Sequence, residues 1–123
     1  MARPTVAIID RQALRDNFML AQSLAPDSQS MPMVKANAYG HGALEVCDAL
    51  SDMAPAFGVA CIDEAIALRE AGVKQPILLL EGTFSKDEVA IAAQNDFWLM
   101  VENTDQKEAV LTASIDRPVI VWL

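Results

Sequence analysis

Apolar residues fall along this chain in short unbroken runs, each followed by a stretch in which they recur three and four residues apart. The runs at 31–35, 57–60, 76–80, 97–101 and 118–123 show little polar alternation. Strands buried on both faces read this way, and such strands belong to parallel sheets. Helical spacing fills the intervals. Leu44, Cys47 and Leu50 predict a helix over 43–50. Asp63 and Glu64 lead one over 63–71, with Gly72 as its stop. Ser85 opens a capping-box pattern with Glu88, and Asn103 or Thr104 starts a last helix that runs to about 113. Ahead of these units, residues 5–9 read as a strand. Asp10 can then cap a helix whose Leu14, Phe18 and Ala21 share a face, and residues 25–30 read as a loop.

Strands alternating with amphipathic helices imply an α/β fold with helices covering a parallel sheet. No GxGxxG follows a strand, and Walker A is absent; Gly40-His41-Gly42 is a GxG only. A doubly wound ligand-binding sheet thus has little support. The other route is a TIM-type (β/α) barrel. A full barrel takes about 250 residues, so this chain supplies roughly its first five strands, preceded by a strand and a helix. The run at 119–123 has no helix to cover it, and an uncovered strand invites association. Residues 1–123 therefore read as part of a longer protein.

Composition excludes more than it assigns. The chain is 53% apolar, which suits strands buried on both faces or a surface that expects a partner. No run approaches the roughly 20 residues of a membrane-spanning helix, and the N-terminus lacks a signal pattern. These features read as cytoplasmic. Seventeen acids against nine bases argue against nucleic acid as a partner. Cys47 and Cys61 lack CxxC spacing, and His41 is the one histidine, so no metal site is expected and both thiols read as free.

The chemistry concentrates at Lys35. It ends an apolar run at the C-terminal end of a strand, where α/β folds bind ligands. A neutral amine there can attack an aldehyde and form a Schiff base. Tyr39, four residues on, offers a hydroxyl that can donate to a phosphate oxygen. Gly40 and Gly42 permit a tight turn. Taken singly, a strand-end lysine is usually solvated, Tyr39 is no stronger a signal, and His41 reads as a loop residue with satisfied hydrogen bonds.

Taken together, Val34-Lys-Ala-Asn-Ala-Tyr-Gly-His-Gly42 resembles the pyridoxal-phosphate signature of the alanine racemase family. The flanks agree: residues 3–17, 57–65, 68–72 and 76–80 resemble that family's opening strand and helix and the barrel segments that follow. The resemblance spans the chain but only about the first third of a family member. It implies an N-terminal barrel that carries the cofactor, a C-terminal β domain that completes the site, and head-to-tail pairing of two subunits. Residues 1–123 would be the N-terminal part of the barrel domain. Lys35 would hold pyridoxal phosphate as a Schiff base and move the α-proton on the D-alanine side. Tyr39 would hydrogen-bond the cofactor phosphate. A leucine of the third strand, Leu78 or Leu80, would line the cofactor. The second base, a partner tyrosine in the family, has no counterpart here, because Tyr39 is the only tyrosine. The expected function is therefore that of a D-alanine-supplying isomerase of which this chain alone is inactive. The alternatives are a self-associating partial-barrel module and part of a related amino-acid racemase.

Overall fold

The computed structural model describes residues 3–123, which form six helical elements and four strands: α1 (Arg11–Leu24), α2 (Lys35–Tyr39), α3 (Ala43–Ala49), β1 (Phe57–Val59), α4 (Ile62–Glu70), β2 (Ile77–Leu79), α5 (Lys86–Asn95), β3 (Phe97–Met100), α6 (Thr104–Thr112) and β4 (Val121–Trp122). All strand pairs are parallel, in the order β1-β2-β3-β4. Ahead of β1, Met33 forms a single parallel bridge with Gly58. Five parallel segments in chain order, with helices packed on one face, make an open arc of the barrel type expected. Among the described residues no helix is long and apolar enough to cross a membrane.

Two strand expectations need correction. Residues 5–9 form no strand, and Val6 and Ile8 lie 75% and 87% exposed. Strand propensity only takes effect against a neighbour, and these residues meet none among the described ones. The run at 31–35 shrinks to one bridge. Val34 N–H donates to Gly58 O at 2.8 Å and Gly58 N–H to Pro32 O at 2.9 Å. Pro32 has no N–H to extend the ladder, and the backbone turns away after Lys35.

The core lies between sheet and helices. Val34, Phe57, Val59, Ile77, Leu79, Phe97 and Leu99 face Cys47, Leu50, Ile62, Ala65, Leu68, Val89 and Ala92. Each large side chain buried this way contributes about 1.5–3 kcal/mol. Both cysteines are free thiols; burial pushes the Cys47 thiol up to about 12. Gly58 carries no side chain because a Cβ there would lie 2.6 Å from Met33 Cε. On the sheet face away from the core, Trp98 and Trp122 stack with ring centroids 5.9 Å apart.

The helix ends follow their local chemistry. Asp10 caps α1 by accepting from Ala13 N–H at 3.0 Å, and Asn103 caps α6 by accepting from Gln106 N–H at 2.9 Å. After α4, Gly72 takes φ +100 while its N–H donates to Arg69 O and Val73 N–H donates to Leu68 O, the paired bonds of a Schellman stop. The Arg69 guanidinium then bonds Asn95 O and lies 5.5 Å over the Phe97 ring, joining α4 to the α5–β3 turn. The predicted box at α5 forms in altered shape. Glu88 accepts from Phe84 N–H at 2.8 Å, and the Ser85 hydroxyl makes no cap bond. On α1, Leu14 and Phe18 pack against the core as expected, but Ala21 is exposed.

Candidate functional site

The end of the sheet sets the site. Val34 is 1% exposed on the core side, and Lys35 follows it as the first residue of α2. The register there reads Met33–Gly58–Leu78–Trp98. Lys35 lies two residues past the Met33 bridge, and Ala60 and Leu80 follow the last paired residues Val59 and Leu79. Of the two candidate leucines, Leu78 is paired inside the sheet with Gly58, and Leu80 lies just past its end. Lys35 is half-buried. Among the described residues the ion pairs belong to Arg11 and Arg15, and the Lys35 amine takes part in none.

The chain leaves Lys35 in a conformation that sequence alone did not suggest. Ala36, Asn37, Ala38 and Tyr39 all have φ between 51° and 54°. The element α2 is thus a left-handed turn built without glycine. Each such residue costs roughly 1–2 kcal/mol, so four cost on the order of 4–8 kcal/mol. Strain of this kind persists only where surrounding contacts over-determine it, and it concentrates at functional sites.

Those contacts can be named. Ala38 N–H donates to Val34 O at 3.0 Å, and Ala38 is buried. Asn37 O accepts from Gly40 N–H and Gly42 N–H. The Asn37 side chain accepts from Ala43 N–H at 2.9 Å, tying the turn to the first residue of α3. Gly40 and Gly42, at φ 90 and 89, close the loop where other residues would be strained. His41 Nδ1 lies 2.9 Å from Ala38 O. A carbonyl only accepts, so that nitrogen carries the proton and His41 serves the turn.

Glu64 completes the set. Its Oε1 accepts from Ala36 N–H at 2.8 Å and its Oε2 from Ala60 N–H at 2.7 Å. One carboxylate thereby fastens the residue after Lys35 to the loop after β1. The sequence reading saw Glu64 only as an acid in a first helical turn. A usable signal was its position four residues past the end of an apolar run, where a carboxylate can reach back to a free N–H.

The structure thus brings Lys35 and Tyr39 onto one short turn. A left-handed turn has the same period as its mirror image, so residue 39 comes round to the side of residue 35, where Tyr39 is 72% exposed. An apolar cavity of about 360 Å³ lies beneath the turn on the helix side, lined by Val34, Asn37, Leu44, Val59, Glu64 and Leu68. A larger, open cleft of about 560 Å³ lies away from Lys35, between the loops after β2 and β3.

Comparison with known proteins adds a second line of evidence. The family described as alanine racemase, N-terminal domain, matches residues 9–123. An alanine racemase of Chromohalobacter salexigens is 48% identical over 123 residues, which is 100% of this chain and 34% of that protein. The crystal structure of biosynthetic alanine racemase from Pseudomonas aeruginosa superposes with a TM-score of 0.92 at 48% identity, covering 99% of this chain and 34% of that one. A histidine racemase from Leuconostoc mesenteroides superposes with a TM-score of 0.72 at 29% identity, covering 80% and 27%. The chain spans about a third of the length of the curated relatives it matches.

Proposed function

The chain belongs to the alanine racemase family through its N-terminal domain, and from that membership we propose that Lys35 holds pyridoxal phosphate and moves an α-proton of alanine. One observation carries the reading. A half-buried lysine, outside every ion pair among the described residues, lies two residues past a parallel bridge and is followed at once by four strained residues. The donor set suits an aldehyde that bears a phosphate. Lys35 supplies the amine, and the exposed Tyr39 hydroxyl supplies one O–H donor.

When bound, pyridoxal phosphate supplies a ring that withdraws charge from the substrate α-carbon. The work of this chain is done by its own side chains. Lys35 would hold the cofactor covalently, its Nζ condensing with the cofactor aldehyde with loss of water. Once displaced by an amino acid, its Nζ is free to take or return the α-proton on one face, the D-alanine side. The Tyr39 hydroxyl donates to the phosphate. Leu80, just past the end of β2, would form part of the apolar wall. Racemisation needs a second base on the other face. The family resemblance makes that base a tyrosine; Tyr39 is the only tyrosine here and in this reading serves the phosphate, so the base would come from outside residues 1–123. In this reading a second copy of the full-length protein supplies it, as a cytoplasmic homo-oligomer making D-alanine for peptidoglycan.

The test is to add pyridoxal phosphate to the 123-residue chain, reduce with borohydride and map the labelled peptide. The expected label sits on Lys35 and disappears in Lys35→Ala; label spread over Lys74, Lys86 and Lys107 overturns the assignment. One general base contributes roughly 10²–10⁴-fold, so the chain alone is expected to interconvert L- and D-alanine negligibly. Measurable conversion that Lys35→Ala abolishes would show that a second base lies within these residues. A second reading, a racemase for another amino acid, rests on the likeness to the histidine racemase. Labelling of Lys35 fits both, and competition between amino acids in the full-length protein separates them.

A further inference from the structure

We propose that Glu64 is the positioning residue for Lys35, acting by holding the left-handed turn in place. This rests on the cofactor reading of Lys35 given above. Each carboxylate oxygen of Glu64 takes a different backbone N–H: Ala36, immediately after Lys35, at 2.8 Å, and Ala60, immediately after β1, at 2.7 Å. Ala36 opens the run of four positive φ angles. Its N–H points away from the ladder, because Met33 is the last residue of this segment to bridge β1, and the carboxylate is its partner.

The charge and the two oxygens both matter. N–H groups donating to an ionised carboxylate make stronger bonds than neutral pairs. A glutamine offers one oxygen and an NH2 group. One of the two N–H groups would then face another donor. Glu64 also sits in the first turn of α4, where a negative charge is favoured by the exposed N–H groups of the helix end. The carboxylate is thus held from the helix side and holds the turn from the sheet side. Released from it, the turn is free to relax toward ordinary backbone angles, and Lys35 would swing with it.

The experiment compares the 123-residue chain with Glu64→Gln and with the double variant Glu64→Gln, Ala36→Gly. Three quantities are read while each protein remains folded by circular dichroism. They are hydrogen exchange at the Ala36 amide, the acetylation rate of Lys35 relative to Lys74, Lys86 and Lys107, and the Lys35 share of borohydride-trapped pyridoxal phosphate. In Glu64→Gln, Ala36 is expected to lose protection. The Lys35 share of label is expected to fall about tenfold, the effect of losing one charge-assisted hydrogen bond. Glycine adopts positive φ without strain, so Ala36→Gly is expected to restore much of that share. A purely structural role lowers stability without changing which lysine is labelled, so an unchanged Lys35 share in folded Glu64→Gln overturns the proposal. If Glu64→Gln fails to fold, the unaltered chain decides: Ala36 and Ala60 amides protected together support the clasp, and an unprotected Ala36 amide overturns it. Failure of the cofactor reading is separate, since it shows as absence of trapped label on Lys35 in the unaltered chain while exchange and acetylation still report on the clasp.

Discussion

Two side chains at equivalent places in the first and third strand–helix units, β1–α4 and β3–α6, do related work with different chemistry. Glu64 lies four residues past Ala60 and accepts its N–H; Gln106 lies four residues past Glu102 and accepts its N–H at 2.8 Å. Both also reach back to the preceding loop. There the partners differ. Glu64 meets a second donor, Ala36 N–H, while the Gln106 amide donates to Glu81 O at 2.7 Å and lies 3.4 Å from Thr83 O. Two donors call for a carboxylate, whereas a donor plus carbonyls calls for an amide. The loops they hold differ as well. Beside Gln106 the positive φ falls on Gly82 at +68, and beside Glu64 it falls on two alanines, an asparagine and a tyrosine. One loop has relieved its strain with glycine. The other keeps it, next to Lys35.

Exchanging the head groups is the strongest way to break the comparison. Gln106→Glu puts a carboxylate against two carbonyls at a position 9% exposed. The cost at neutral pH is expected to be about 2–4 kcal/mol, that of a buried charge facing acceptors. Protonation restores a donor, so the folded-state pKa of the introduced acid lies above its unfolded value. Stability is then retained below the unfolded carboxyl pKa and lost as pH rises through the folded one. Urea titrations at pH 5 and pH 8 check this, and equal stability at the two pH values would contradict the assigned hydrogen bonds.

Exchanging the loop residues is the next largest step. Gly82→Ala adds a Cβ that would meet Gln106 Nε2 at 2.6 Å, at a backbone angle that favours glycine. A loss of about 2–3 kcal/mol is expected from strain and displacement of the Gln106 amide. Ala36→Gly is the reverse case, removing a strained alanine at φ 51. It is expected to stabilise by roughly 0.5–1 kcal/mol. Opposite signs for the two substitutions in thermal unfolding sharpen the contrast between a relieved loop and a strained one. Matching signs would remove it.

The sequence discloses these two regions unequally. Strands at β1, β2 and β3 are legible because their runs are apolar on both faces, and their helices are legible from Asp63, Glu64 and Asn103 at the starts. The cap at Asp10 is legible from one short polar side chain before an amphipathic stretch. Residues 5–9 mislead, because a strand-like pattern says nothing about whether a neighbour exists. The left-handed turn is hidden for the opposite reason. Ala36 and Ala38 favour right-handed helix by intrinsic propensity, and the contacts set against that preference include a carboxylate 28 residues from Ala36. Lys35 and Tyr39 stand out through the motif around them. Glu64 does not, because its role depends on two amides brought together only by folding.

A third tie, at the surface, tests whether clasps inside the fold and bonds outside it respond differently to acid. No residue of α1 is fully buried, and the helix is held to α3 and the turn after it through Arg11 to Glu45 and Asp48 and through Arg15 to Asp52 and Ala49 O. The hydrogen bond from Arg15 holds the Asp52 carboxyl below its usual range. A depressed folded-state pKa contributes stability that is present above the unfolded value, near pH 4, and is lost as pH falls through the folded one. Amides of α1 are therefore expected to lose exchange protection below about pH 4, ahead of the sheet amides of Gly58 and Leu99. In Arg15→Ala, which lacks the pair, α1 should be less protected at neutral pH and should lose little more on acidification. The acid-dependent loss should also be smaller in 1 M salt than in 0.1 M, because screening weakens exposed pairs at every pH. Protection of α1 that tracks the sheet at every pH would mean that Leu14 and Phe18 hold the helix by packing alone, and that the ion pairs add nothing.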